Sequence, residues 1–284
     1  MNQLISRVFA RKSAGVATPR PSGASVTAFP FFAHPVPDGA ADPATIVLNG
    51  TCPVCGQQAR FDRFTDNLRE SGFCSGCGSF NRQRQMAHVL RARIGGPAGA
   101  PLAIPPGLAV YNTESTGAVH RVLSTNPGYV CSEYFGAEYR SGETVRGCRH
   151  EDLQNMSFAD QSLDIVLSSD VLEHMPDPYR AHREIFRVLR RGGRHIFTVP
   201  FDSAAPLDDR RADLVNGEVV YLAEKLYHGD PVNPEAGILV WTIFGLEMLV
   251  ELARIGFAPT AVNLLLPWHG VIGAHSLVFE AVRP

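Results

Sequence analysis

Lysine, net charge and long apolar runs are all scarce in this 284-residue chain. No uninterrupted apolar stretch approaches the ~20 residues that cross a bilayer, so no membrane-spanning helix is expected. Lys12 and Lys225 are the only lysines among 26 basic residues, and the formal charge is −2. A molecule so balanced is not an electrostatic nucleic-acid binder as a whole, although a local basic patch stays possible. The first 37 residues hold Arg7, Arg11, Lys12 and Arg20 and no acid before Asp38. That composition resembles a transit peptide, but a continuous apolar segment is missing, so secretion is not expected. Residues 1–45, rich in Pro, Gly, Ser and Ala, read as a disordered leader. The expected location is the cytoplasm. No internal repeat is visible.

Cysteine is also sparse, yet four of the six cysteines come as two matched pairs. "CPVCG" and "CSGCG" place Cys52, Cys55, Cys74 and Cys77 in a CxxC…CxxC arrangement. Four thiolates suit a closed tetrahedral Zn2+ site, and the glycine after each pair lets the backbone turn back toward the metal. Such a site has no open position, so its zinc is structural. Paired disulfides or a redox dithiol are the competing readings, disfavoured by a cytoplasmic setting and by the matched pairs. Cys131 and Cys148 read as small buried hydrophobes. "NRQRQMAHVLRARI" has Met86, Val89, Leu90 and Ile94 at helical spacing with arginines opposite. Between 50 and 95, seven arginines (60, 63, 69, 82, 84, 91, 93) face three acids. The plain reading is a solvated helix face; an anionic partner is the alternative. Residues 46–96 are thus expected to be a zinc ribbon with a connecting helix, and 97–284 a second domain.

From Leu108 onward, strand and helix patterns alternate. "LAVY" is followed by the helix "GAVHRVL". "GYVCSEYF", "RGCRHEDL" and "SLDIVLSS" are further strands. Asp177-Pro178 has the N-cap and first-turn proline of a helix start, and Gly192-Gly193 is placed at that helix's end, before "RHIFTVP". Thr242 is expected to cap a helix carrying Leu246, Leu249, Val250 and Ala253, and two strands close the chain. Such alternation predicts a mostly parallel α/β sheet with helices on both faces. Ligands of such sheets bind beyond the carboxyl ends of the strands, where strand order reverses. Glu133, Asp152 and Asp170 follow three successive strand patterns. An acid after the second strand can accept from both hydroxyls of a ribose, and one after the third from an adenine amino group. Each acid is equally read as a turn former or cap.

The run His150–Pro200, "HEDLQNMSFADQSLDIVLSSDVLEHMPDPYRAHREIFRVLRRGGRHIFTVP", closely resembles class I S-adenosylmethionine-dependent methyltransferases. Asp152, Phe158, Asp160, Ser162, Leu163, Asp164, Val166, Glu173, His174, Leu189, Gly192 and Gly193 carry the match, with Arg191 in place of the usual proline. The resemblance implies a Rossmann-like, seven-stranded, mostly parallel sheet with its last strand antiparallel. It implies that Glu133 holds the ribose diol and that Asp152 and the Leu153 N–H read the adenine, with Tyr134 beside it. Ser169 and Asp170 would line the methionine side. The family's glycine-rich loop is reduced here to "NTESTG", where Gly117 is the single glycine and Glu114 is placed to pair with the cofactor's amino group.

Methyl transfer from a sulfonium depends mostly on positioning and desolvation, with a base for a weak nucleophile. His174 is a candidate base, or else a histidine that orients its loop; His228 is a second candidate base or substrate contact. The expected function is a methyltransferase for a small-molecule, glycan or lipid-linked acceptor. The alternatives are an RNA methyltransferase gripping RNA through the ribbon, and a non-catalytic protein whose altered loop has lost the cofactor.

Overall fold

The computed structural model describes residues 42–97, 99–229, 235–273 and 276–284. The expected leader lies almost wholly outside those residues. Three short strands, β1 (Leu48–Thr51), β2 (Gln58–Asp62) and β3 (Phe73–Cys74), form an antiparallel meander. Pairings such as Thr51↔Gln58 and Phe61↔Cys74 set the register. Along β2, Ala59 and Phe61 point inward while their neighbours face out, the period-two pattern of a one-sided sheet. The chain then enters α1 (Asn81–Ile94), which ends at Gly95 with φ 75°. This meander is not a free appendage. Val54, Phe61, Phe64, Met86 and Leu90 share one apolar cluster with Val110, Ile165, Ile196 and Val278 of the central sheet.

The central sheet begins with β4 (Val110–Asn112), followed by α2 (Gly117–Leu123) and β5 (Tyr129–Cys131). It continues through β6 (Leu163–Ser169), α3 (Pro178–Val188), β7 (Leu189–Thr198), α4 (Leu246–Ile255), β8 (Ala258–Asn263) and β9 (Leu277–Val282). Among the described residues it has six strands in the order β8-β9-β7-β6-β4-β5. β9 alone runs against its neighbours. The α/β architecture expected from the alternating pattern is therefore present, including the antiparallel last strand. On the face away from the meander, Ala181, Ile185 and Val188 of α3 and Met248 and Leu252 of α4 bury against Val166, Phe197 and Phe279. Each such side chain contributes about 1.5–3 kcal/mol when withdrawn from water.

The expected strand at "RGCRHEDL" is reduced. Cys148–Arg149 folds back on Thr144–Val145 as a two-residue hairpin, and a single parallel bridge, Glu133↔His150, stands where a seventh strand would pair. Gly192-Gly193 does not end α3 either. That helix stops at Val188, Leu189 already being extended, and the glycines lie within β7, where its register against β6 jumps from Leu163↔Leu189 to Ile165↔Arg194. Gly193 is needed there because a Cβ would come within 2.8 Å of the Arg190 carbonyl oxygen. Thr242 pairs in a strand with Arg210, and α4 begins after Gly245, burying Met248 and Leu252 instead of the four positions expected. Asp177 does cap α3, accepting the Arg180 N–H at 2.8 Å.

Strands β5 and β6 flank β4 in parallel, with Asn112 opposite both Cys131 and Leu167. The chain leaves β4 toward β5 on one side and returns through β6 on the other. The loops after these strands therefore meet at one crevice, the place an open parallel sheet offers a ligand.

Candidate active site

The loop after β4 is built on its neighbours. The Asn112 amide donates to the Glu114 carbonyl at 3.1 Å and to the Tyr129 hydroxyl at 2.9 Å. The Ser115 N–H and hydroxyl both donate to one oxygen of Glu133, each at 2.8 Å. The other Glu133 oxygen makes no hydrogen bond among the described residues. Gly117 opens α2 at φ +81°, and a Cβ there would lie 2.5 Å from the Gln83 amide nitrogen. The backbone approach that a glycine-rich loop gives a ligand is thus partly taken by a side chain of α1.

Asp152 caps its own turn, one carboxylate oxygen accepting the Gln154 N–H at 2.8 Å, while its N–H donates to the Ser141 hydroxyl at 2.9 Å. Leu153 is buried in the core. Tyr134 is exposed, its ring 5.3 Å from that of His150. Ser169 is buried and accepts from Arg82. Asp170 adopts φ 53°, accepts from Thr198 Oγ1 at 3.0 Å and is gripped by both terminal nitrogens of Arg69.

These arginines correct the expectation of a solvated basic face. Arg69, Arg82 and Arg84 turn inward. Arg82 holds Glu70 through Nε at 2.6 Å and Nη2 at 2.8 Å, and its Nε is 3.4 Å from Asp170. Arg84 is fully buried, donates to the carbonyls of Ser79, Gly72 and Gly270, and lies over the Phe61 ring at 4.6 Å. Burial lowers its pKa to about 10. Burial works against the charge of Asp170, but Arg82 and Arg69 outweigh it and hold the carboxyl well below its usual range. Glu114, opposite Arg82, is pushed up to about 7 by burial and by the nearby Glu133 and Asp170, with Arg82 pulling the other way. The helical spacing of α1 places its apolar stripe correctly but carries no sign that the polar residues between are buried too. The available signal was electrostatic: Glu114, Glu133 and Asp170 follow three strand ends that meet at one crevice.

Glu173 closes the far side. It sits in a short turn, Leu172–His174, fully buried, and neither carboxylate oxygen has a hydrogen-bond partner among the described residues. Burial raises its pKa well above the usual value. His174 Nε2 and His228 Nδ1 lie 3.6 and 3.7 Å from the same Glu173 oxygen, and the two imidazoles meet edge to face at 5.1 Å. The two candidate histidines are therefore brought together, around an acid that is not among the candidate site residues.

The four cysteines converge as their spacing predicts. None forms a disulfide, and their sulfurs could together hold a metal ion, Cys52 and Cys77 being 3.8 Å apart. The two pairs repeat one geometry: the Gly56 N–H donates to the Cys52 carbonyl at 2.8 Å and the Gly78 N–H to that of Cys74 at 2.9 Å. The Ser79 hydroxyl sits 3.4 and 3.2 Å from the Cys52 and Cys77 sulfurs.

For an adenosine-bearing cofactor the residues fit. An unengaged carboxylate oxygen on Glu133 and a buried Thr113 hydroxyl without a partner among the described residues lie at the loop after β4. Arg82 and Glu114 add opposite charges that match an amino acid's carboxylate and ammonium.

Comparison with known proteins finds similar chains. Residues 111–197 match the methyltransferase domain family. An uncharacterized methyltransferase of Mycobacterium sp. (strain KMS) is 54% identical over 39 residues, 14% of this chain and 16% of that relative. One from Mycolicibacterium gilvum (strain PYR-GCK) is 33% identical over 88 residues, 31% of this chain and 33% of the relative. The chain thus spans between a sixth and a third of the length of these curated relatives. Among solved structures, an S-adenosylmethionine dependent methyltransferase from Mesorhizobium loti aligns at 18% identity and TM-score 0.41, covering 70% of this chain and 98% of that one. A complex of the Haloferax volcanii Trm112 methyltransferase activator with a putative methyltransferase aligns at 15% identity and TM-score 0.40, covering 72% and 91%. Residues 111–197, which span the central sheet from β4 to β7, are thus similar to the methyltransferase domain family.

Proposed function

We propose that this chain transfers a methyl group from S-adenosylmethionine to a small-molecule, glycan or lipid-linked acceptor. The observation that carries the reading is Glu133, held by Ser115 through one oxygen with the other left for a ribose. The bound cofactor supplies an activated methyl on a sulfonium; everything else is positioning by the protein. Glu133, Asp152 and the Leu153 N–H hold the adenosine. Arg82 and Glu114 take the two charges of the amino-acid end, replacing the backbone contacts of a glycine-rich loop. Tyr134 flanks the base, Ser169 and Asp170 border the methionine side, and His174 and His228 face the acceptor. Zn2+ in the Cys52, Cys55, Cys74 and Cys77 site is structural and keeps α1, with its arginines, in place. The inward turn of those arginines supports a small acceptor over RNA, because it removes cationic surface that a phosphate backbone would need.

Calorimetric titration of the full chain with S-adenosylhomocysteine tests the reading. Binding with a Kd of about 1–10 μM, weakened at least tenfold by Glu133→Ala, is expected for a working adenosine site. Absence of binding in a folded, zinc-loaded sample overturns it.

A further inference from the structure

We infer that Glu173, His174 and His228 form a second metal site, separate from the four cysteines, which takes a divalent first-row transition cation.

The first argument is an electrostatic deficit. Glu173 is fully buried with no hydrogen bond to either oxygen among the described residues, an arrangement that costs several kcal/mol unless a proton or a cation lies against it. The nitrogen that His174 turns to it is not a donor in the neutral ring. His174 donates its Nδ1–H to the Leu239 carbonyl at 2.9 Å, which makes Nε2 the lone-pair nitrogen of the neutral ring, and Nε2 is the atom turned to Glu173. A backbone carbonyl fixing the far nitrogen is how metal-bound histidines are oriented. His228 brings a third atom to the same place, the three ligand atoms all lying within 4.8 Å of one another.

The spacing agrees with the chemistry. Ligands at about 2.1 Å from a common ion stand about 3.0–3.4 Å apart at octahedral or tetrahedral angles. The observed 3.6 and 3.7 Å are slightly beyond that and too long for hydrogen bonds. Around the cluster Glu70 and Asp170 balance Arg69 and Arg82, so an ionised Glu173 adds an uncompensated negative charge. Two imidazoles and one carboxylate suit Zn2+, Fe2+ or Co2+ in place of Mg2+ or Ca2+.

The fold builds this cluster on purpose-shaped supports. Tyr227–His228 pairs with Ile238–Leu239, so the strand carrying one histidine is hydrogen-bonded to the strand whose carbonyl aims the other. Three protein ligands leave coordination positions open. If the methyltransferase reading holds, an acceptor hydroxyl bound there is oriented and made more acidic. Metal binding itself does not depend on that reading.

The test is a Co2+ titration of the full chain already loaded with zinc. The expected result is a set of d–d bands without sulfur-to-cobalt charge transfer, saturating at one equivalent. Both Glu173→Gln and His228→Ala should abolish the bands while zinc content and circular dichroism stay as in the parent. No cobalt bands in the parent chain, or bands that persist in both folded variants, overturn the site. Titrating the same samples with S-adenosylhomocysteine separates the two readings: cofactor binding without cobalt defeats the metal site alone, and cobalt binding without cofactor supports it while defeating the methyltransferase.

Discussion

Arg69, in the turn ahead of the second cysteine pair, grips the carboxylate of Asp170 with both terminal nitrogens, Nη2 lying 2.6 Å from Oδ1. The meander thereby reaches the carboxyl end of β6. Asp170→Ala leaves Arg69 and Arg82 to share Glu70 as their one close carboxylate, and should cost about 3 kcal/mol. Arg69→Ala should cost less, about 1–2 kcal/mol, because Arg82 remains 3.4 Å from Asp170. Urea unfolding of the single and double variants measures both, and the double variant should be more stable than the sum of the two losses implies.

At Gly117 two penalties combine. Alanine must adopt φ +81° and place its Cβ against the Gln83 amide. Gly117→Ala is expected to lower stability by about 1–3 kcal/mol and to weaken S-adenosylhomocysteine binding. Gln83→Ala in the same background should restore the steric part and leave the backbone strain. Thermal unfolding with and without ligand separates the two.

Glu114 gives the site a pH dependence near neutrality. Its folded pKa of about 7 lies above the ordinary 4.5, so the folded state holds the proton more tightly. The corresponding stability is fully present below pH 4.5 and is lost as pH rises to about 7. Glu114→Gln should flatten that slope. Ligand binding should run the other way: an ammonium prefers the carboxylate, so S-adenosylhomocysteine affinity should rise through pH 7 in the parent chain and stay level in the variant. Calorimetry across pH 5–8 tests both signs.

Cys74→Ser should do more than empty the four-cysteine site. Phe61, paired with Cys74 in the meander, is buried in the same apolar cluster as Ile165 and Ile196 of the sheet. Zinc content should fall by one equivalent, and the whole chain should melt at a lower temperature in a single transition. A separate low-temperature transition with an unchanged main one would contradict this coupling.

Much of the architecture was legible because it rests on local rules. Asp177-Pro178 announces α3 through capping chemistry, the apolar run at 163–169 announces a strand buried on both faces, and matched CxxC pairs announce a metal site. What escaped was long-range. Gly192-Gly193 looks like a helix stop, yet those glycines serve a register jump set by the neighbouring strand. Arg69, Arg82 and Arg84 look like solvated charge, because nothing near them in sequence reveals that Glu70, Asp170 and the Gly270 carbonyl will meet them. The histidines were visible as residue types. Their convergence on Glu173 depends on a strand pair that no periodicity marks.

The inward arginines also bear on how such a protein can change over evolutionary time. A ribbon that merely decorated the methyltransferase fold would be a cassette, free to be exchanged between relatives. Here Arg69 and Arg82 terminate inside the crevice, and Gln83 stands in for missing glycines. A recombination breakpoint between the two would leave one parent with unbalanced acids and the other with buried unpaired cations. The four-cysteine unit and the sheet are therefore expected to tolerate exchange between relatives only as one unit.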